Sequence, residues 1–368
     1  MKFRLGELFC GPGGIALGAK EAAFIINGKE FSIVHEWAND YDKDTCETYS
    51  KNICSVNTKS VICKDVRKLN IDKLTEIDAL AFGFPCNDFS IVGEQKGIEG
   101  PYGPLYSYGV KILQKFQPFW FLAENVGGLR NSNDGKAFEK IIEDLRDVGY
   151  DVKAHLYKFE YYEVPQRRHR IIIVGIRTDL NLDFKIPILK SPRIITSREA
   201  IENPPIIENS PNNELTNQSN NVIERLKHIK PGENAFTAKL PEHLQLNIRG
   251  AQISQIYKRL DPDKPAYTIT GSGGGGTHVY HWKYNRALTN RERARLQTFP
   301  DDFIFYGSKE SVRKQIGMAV PPRGVKIIFE AILKTFAGIA YENTEPNIKL
   351  SQKNLFGELV SESTEEYS

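Results

Sequence analysis

The chain has 368 residues, 40% hydrophobic and 26% charged, which is ordinary for a soluble globular protein and leaves room for roughly two or three domains. Its net charge of +3 permits a nucleic-acid partner without requiring one. The first residues lack a signal-peptide apolar core, no apolar run approaches the roughly 18 residues of a membrane span, and five cysteines without C-x-x-C spacing argue against a zinc or disulfide framework. These features lead us to expect a reducing, cytoplasmic setting with no membrane partner and no metal.

Residues 3–9 read as a first strand running into Cys10-Gly11-Pro12-Gly13-Gly14 and a helix over 15–23. Strand, glycine turn and helix together can cradle a nucleotide-type ligand on backbone N–H groups, although a plain tight turn fits as well. A second strand over 31–38 ends at Asn39-Asp40-Tyr41. There an acid suits ribose hydroxyls and an aromatic can stack on a base; Asp40 could equally cap a helix over 43–49. A third strand begins at Val61 and ends at Asp65.

The fourth strand, 79–84, is stopped by Pro85, which throws Cys86 into the loop beyond its carboxyl end. A thiol there is either a nucleophile or a small buried hydrophobe. Residues 91–105 are glycine-rich and read as a lid, with a helix expected over 108–116. The apolar run 119–123 is a strand buried on both faces that leads to Glu124-Asn125-Val126. Desolvation would raise the pKa of Glu124, and a local cap or pair is the alternative. A helix over 137–146 and a strand over 152–157 precede Gln166-Arg167-Arg168-His169-Arg170, whose arginines stand at the mouth of the strand 171–176. They suit an anion or a solvated surface.

From about residue 187 prolines and asparagines dominate, and 190–285 reads as a separate loop-rich module. Asn203-Pro204-Pro205-Ile206 lacks the aromatic of the amino-methyltransferase motif. The run Gly271-Ser272-Gly273-Gly274-Gly275-Gly276-Thr277-His278 suits close backbone approach to a ligand. No third ligand stands near His278 and His281 to complete a metal site. Thr289 to Glu292 forms a capping box for a helix, and an apolar stripe from Val325 to Phe336 marks another that ends at Gly338. Beyond Tyr341 the tail is polar and is expected to be loose.

Taken in order, these segments resemble the C5-cytosine DNA methyltransferases of bacterial restriction–modification systems. Phe9-Cys10-Gly11-Pro12-Gly13-Gly14 is similar to the family's F-x-G-x-G-G, Pro85-Cys86-Asn87 to P-C-[QN], and Glu124-Asn125-Val126 to E-N-V. Gln166-Arg167-Arg168-His169-Arg170 is similar to Q-R-R-x-R. Two later motifs, Arg291-Glu292 through Pro300 and Gln315 through Pro321, complete the set, with Met318 where the family usually has Asn.

The resemblance implies an α/β, Rossmann-like, S-adenosylmethionine-dependent methyltransferase sheet domain with a small target-recognition domain. On that reading residues 1–189 and 314–340 form the catalytic domain, 190–285 the recognition domain, 286–313 a hinge segment and 341–368 a flexible tail. It places Phe9, Gly11, Gly13, Gly14, Asp40, Tyr41, Asp65 and Pro85 around S-adenosylmethionine. It makes Cys86 the nucleophile, Glu124 the acid, and Arg168 and Arg170 catalytic partners. Ser90, Arg168, Ser272, Gly273, Gly274 and Thr277 fall near DNA.

The chemistry is consistent with that assignment. C5 of cytosine is a weak nucleophile until a thiolate adds at C6 and an acid protonates N3. A duplex base must be flipped out to be reached. The implied partner is double-stranded DNA, met by a monomer and paired in function with a restriction endonuclease. A tRNA methyltransferase of the same fold would lack so large a module, and a non-catalytic DNA-binding protein would leave Cys86, Glu124 and Arg170 idle.

Overall fold

The structure, a computed structural model, describes residues 1–54, 57–84, 105–129, 135–246, 254–273 and 276–350, with the backbone of 352–353 and 359–360. Pro85, Cys86, Ser90 and Gly274, and the 91–104 part of the expected lid, lie outside the described residues.

The central sheet is built on β1 (Lys2–Leu8), which pairs in parallel with β3 (Lys29–Asp40) on one side and β5 (Ala79–Gly83) on the other. Next to β3 lies β4 (Val61–Cys63), and next to β5 lies β6 (Trp120–Val126), both parallel. β9 (His169–Arg177) then pairs antiparallel to β6, and β7 (Tyr150–Lys158) antiparallel to β9. A short hairpin strand, β2 (Phe24–Ile26), completes the β3 edge. The reversal at β9 matters for the site. In a parallel sheet ligands collect at the carboxyl ends of the strands. Because β9 runs backwards, its first residues, not its last, arrive at that edge.

Helices cover both faces, as expected for strands buried on two sides. On one face α1 (Gly14–Glu21) and α9 (Pro322–Ala337) pack Ile15, Ile328 and Phe329 against Phe3, Leu5 and Val174. On the other, α3 (Tyr106–Phe116) and α4 (Lys136–Asp147) pack Ile112, Ile141 and Leu145 against Leu80, Phe82 and Phe121. Each such side chain withdrawn from water contributes roughly 1.5–3 kcal/mol. α9 ends as its sequence predicts, on Gly338 at φ 68°.

The loop-rich module holds α5 (Ser197–Glu202), α6 (Asn220–Lys227) and β11 (Ala266–Tyr267). β11 pairs in parallel with β8 (Gln166–Arg167), tying the module to the start of β9. Asn203-Pro204-Pro205 follows α5 and is not at a strand end. The expected capping box closes α7 (Asn290–Leu296). In the stretch 286–313, Ala294, Phe299, Phe303, Phe305 and Val312 share a cluster with Ala16, Leu17 and Tyr49. That cluster extends into α8 (Lys309–Met318).

The chain after 341 is also docked at first. β12 (Asn343–Thr344) pairs with β10 (Ile186–Pro187), Asn347 accepts the Leu156 N–H at 2.8 Å, and Ile348 is buried. A loose tail from 341 onward is therefore not what the structure gives through residue 350; these residues cover the open edge of β7. Among the described residues no helix is long and apolar enough to cross a membrane.

Candidate active site

Every site feature sits at the edge where β1, β3, β5 and β6 end and β9 begins. After β1, Phe9, Gly11 and Gly13 all have left-handed φ, at 54°, 55° and 100°, which coils the chain tightly before α1. At Gly14 any side chain is excluded, since a Cβ would stand 2.2 Å from the Val320 carbonyl oxygen. Asp40, at the end of β3, accepts the Gly11 N–H at 3.0 Å and the Asp42 N–H at 3.1 Å, and so holds the turn. Burial pushes the Asp40 carboxyl up, against the pull of those N–H groups. Asp42, not Asp40, caps α2 (Lys43–Ile53), accepting the Thr45 N–H at 2.9 Å.

A cavity of about 530 Å³ opens beside this turn, lined by Phe9, Gly11, Asp40, Tyr41, Asp65 and Met318 among others. Its size is that of a small-molecule site. Tyr41 exposes its ring there, 69% accessible. Asp65 is held by Arg67, whose side-chain hydrogen bond lowers its carboxyl to about 2. A glycine turn at a helix start, two acids and an exposed ring fit an adenosyl group with its ribose hydroxyls. Of the described residues expected around the cofactor, Phe9, Gly11, Gly14, Asp40, Tyr41 and Asp65 line this cavity, and Gly13 lies in the same turn without lining it. The Met318 side chain is 53% exposed at the cavity wall, where the resemblance would place Asn.

The cavity continues to the ends of β5 and β6. In register, Gly83 stands opposite Glu124, and Val126 opposite Arg170. Arg170 Nε reaches Glu124 Oε1 at 2.8 Å, and each side chain is 13% exposed. β6 therefore extends three residues past the apolar run, and Glu124 is still in the ladder rather than beyond it. Asn125 is buried and donates to the Phe84 carbonyl at 3.1 Å, which fixes the chain two residues before Cys86.

Arg168 is elsewhere than a surface role would put it. Its side chain is buried and donates to the carbonyls of Ile269 at 3.1 Å and Met318 at 3.3 Å. It braces the loop-rich module against α8 while lining the cavity. The cause is the pairing of β8 with β11, which draws Ile269 over the start of β9. The described part of the glycine run lies along α8: a Cβ on Gly271 would stand 3.0 Å from Lys314 Cα, and Lys314 lines the cavity. Ser272 is exposed, its hydroxyl 2.6 Å from that of Thr270.

Two neighbours of the site were given no individual role from sequence, although Gln315 opens one of the later motifs. Glu7 is fully buried beneath the turn and accepts from Tyr49 Oη at 3.0 Å; burial pushes its carboxyl up to about 8. Glu7 shares the strand face of Phe3 and Leu5, and that face is covered by α1 and α9. Gln315 accepts from Thr48 Oγ1 at 2.7 Å and donates to the Tyr306 carbonyl, joining α8 to α2 at the cavity wall. No sequence period marks it.

Comparison with known proteins agrees with this geometry. The family model for C-5 cytosine-specific DNA methylase matches residues 3–334. The Type II methyltransferase M.BbvI of Brevibacillus brevis is 57% identical over 376 aligned residues, covering 100% of both chains. The Type II methyltransferase M.NgoFVII of Neisseria gonorrhoeae is 40% identical, over 96% of this chain and 92% of its own. Among solved structures, a methyltransferase encoded within an Escherichia coli prophage superposes with a TM-score of 0.71 over 91% of this chain and 99% of its own, at 22% identity, and shares the fold. The chain thus belongs to the C-5 cytosine-specific DNA methylase family and is a DNA (cytosine-5)-methyltransferase of the Type II restriction–modification kind.

Proposed function

We propose that the enzyme takes a cytosine out of a short specific duplex sequence and methylates it through a covalent bond between Cys86 and C6. The observation carrying this reading is the Glu124–Arg170 pair, which closes the cavity at the strand end opposite the glycine turn. S-adenosylmethionine, seated by Phe9, Gly11, Gly13, Gly14, Asp40, Tyr41 and Asp65, with Pro85 before the nucleophile, supplies an electrophilic methyl group.

Cys86 Sγ forms a bond to C6 while Glu124 delivers a proton to N3, so the ring's electrons are pushed to C5. Arg170 holds Glu124 and hydrogen-bonds the base. C5 takes the methyl group as the carbon–sulfur bond of the sulfonium breaks, then loses its proton to a base; the Sγ–C6 bond breaks and N3 returns its proton to Glu124, which restores the ring. Ser90 and the described loop residues Ser272, Gly273 and Thr277, with Gly274, meet the DNA. The biological role is protection of host DNA from a partner restriction endonuclease.

Bisulfite sequencing of duplex DNA incubated with the enzyme and S-adenosylmethionine tests the reading. Conversion-resistant cytosines confined to one short motif are expected. Unmodified DNA beside modified tRNA would overturn it. Cys86→Ser should abolish turnover and leave DNA binding, and retained methylation would refute the nucleophile. For the protective role, a matching nuclease should fail on the methylated DNA.

A further inference from the structure

Three arginines alternate along α7, and two of them are fully employed. Arg291 donates to the carbonyls of Pro211, Pro300 and Phe303, and Arg295 pairs with Asp301 and donates to the Ile201 carbonyl. Arg293, between them, is 1% exposed, yet among the described residues its Nε and both terminal nitrogens have no acceptor. A buried guanidinium without a partner is among the most costly groups a fold can hold, and it calls for a partner such as an ion or water.

The surroundings point the same way. The titratable groups facing Arg293 are Tyr267, Glu292 and Tyr280, with a second cation, Arg313 of α8; of these only Glu292 carries a negative charge at neutral pH. Glu292 is committed, since both its oxygens are taken by Arg286 and one also by the Thr289 N–H. Burial, ahead of the repulsion from Arg313, pulls the Arg293 guanidinium down to about 10. Among the described residues Arg313 reaches the Gly271 carbonyl at 3.3 Å and, at 3.8 Å, the exposed Glu310. His278 Nδ1, also buried nearby, has no partner either. Gly273 covers the group: a Cβ there would stand 2.4 Å from Arg313 Nε and 2.8 Å from His278 Cε1.

We propose that Arg313 and Arg293 form a seat for one phosphate of the DNA backbone at the root of the glycine run. Arg313, with a side chain 14% exposed, is the outer member and Arg293 the inner one. The backbone at Gly271 and Gly273, with no side chains to withdraw from the packing, is what yields to admit the anion. Such a contact positions the duplex without reading its sequence. The inference rests on duplex DNA being the substrate.

Binding of two duplexes, one with and one without the methylation motif, measured by fluorescence anisotropy across a salt series, tests it. Arg293→Met should weaken binding about tenfold and reduce the slope of log affinity against log salt by roughly 0.9, the share of one phosphate. Arg313→Met should do the same, and Arg293→Lys should keep the slope. In parallel, inorganic phosphate should raise the melting temperature of the wild type and not of Arg293→Met. An unchanged slope in both Met variants overturns the seat even where phosphate stabilises the wild type. A loss confined to the methylation motif overturns it in favour of base reading. If Arg293→Met fails to fold, Arg313→Met and Arg293→Lys carry the same decision. Failure of the wild type to bind any duplex would instead count against the DNA substrate.

Discussion

Glu124 Oε1 and Arg170 Nε lie 2.8 Å apart on strands that run in opposite directions, and Glu124 Oε2 packs within reach of Gly83 on the third strand of the group. Glu124 is thereby held at the cavity by one ion pair and by the absence of a side chain at Gly83. Arg170→Met should lower kcat by about a hundredfold or more and change DNA affinity only a few-fold, because positioning of an acid is worth that order. Glu124→Gln should lower kcat by roughly 10²–10⁴-fold. Single-turnover kinetics at saturating DNA would separate these from binding defects; a purely KM-based loss in either variant would contradict the assignment.

Arg168 offers a contrast within the same motif. With its donors on the Ile269 and Met318 carbonyls, its removal leaves buried acceptors unpaired. Arg168→Met is expected to destabilise the fold by about 2–4 kcal/mol. Urea unfolding measures this directly. A surface DNA contact would instead leave stability untouched and alter only the salt dependence of binding.

Glu7 predicts a pH dependence. Burial raises its carboxyl from an ordinary 4.5 to about 8, partly offset by the Tyr49 hydrogen bond. The folded chain therefore keeps a proton that the unfolded chain gives up. The stability this provides is complete below the unfolded value and is lost as pH rises through about 8. Glu7→Gln should flatten the dependence of the unfolding free energy on pH between about pH 5 and pH 8, removing a slope of up to ~1.4 kcal/mol per pH unit. Identical slopes in the two proteins would show that Glu7 is not the group responsible.

Gly14→Ala tests the packing behind the glycine turn. The new methyl would meet the backbone carbonyl oxygen of Val320 at 2.2 Å, so α1 and the segment leading into α9 must part. Overpacking of this kind costs roughly 1–3 kcal/mol. S-adenosylmethionine binding, followed by calorimetry, should weaken about tenfold. Unaltered affinity would mean the turn does not shape the cavity.

The parallel strands, the flanking helices and the capping box at Thr289 were legible because each carries its own local signal: an apolar run, a 3.6-residue stripe, a paired cap and acid. The hairpin β2–β3 was legible in principle, since Asn27-Gly28, with φ 49° and 72°, is a turn dipeptide that the helical reading of 15–23 left unused. The direction of β9 was not. An apolar strand reads alike in both orientations, and only the pairing of Val126 with Arg170 tells which end of it faces the site. The brace at Arg168 was hidden for a related reason, because its acceptors are backbone carbonyls of residues far along the chain. The docking of Asn347 against β7 arises likewise from a contact between distant residues, inside a stretch whose composition suggests solvent.

The pairing of Gly83 with Glu124 has a consequence for how this enzyme can change. Hydrogen-bonded strands behave as a ruler: moving one by a single residue turns all its side chains to the opposite face. Deleting one apolar residue from the interior of β6 would keep the acid, the arginine and the thiol in the sequence and still silence the enzyme, by rotating the carboxyl away from the cavity. Lost spacing, as much as lost chemistry, is therefore a route to an inactive relative that retains every motif.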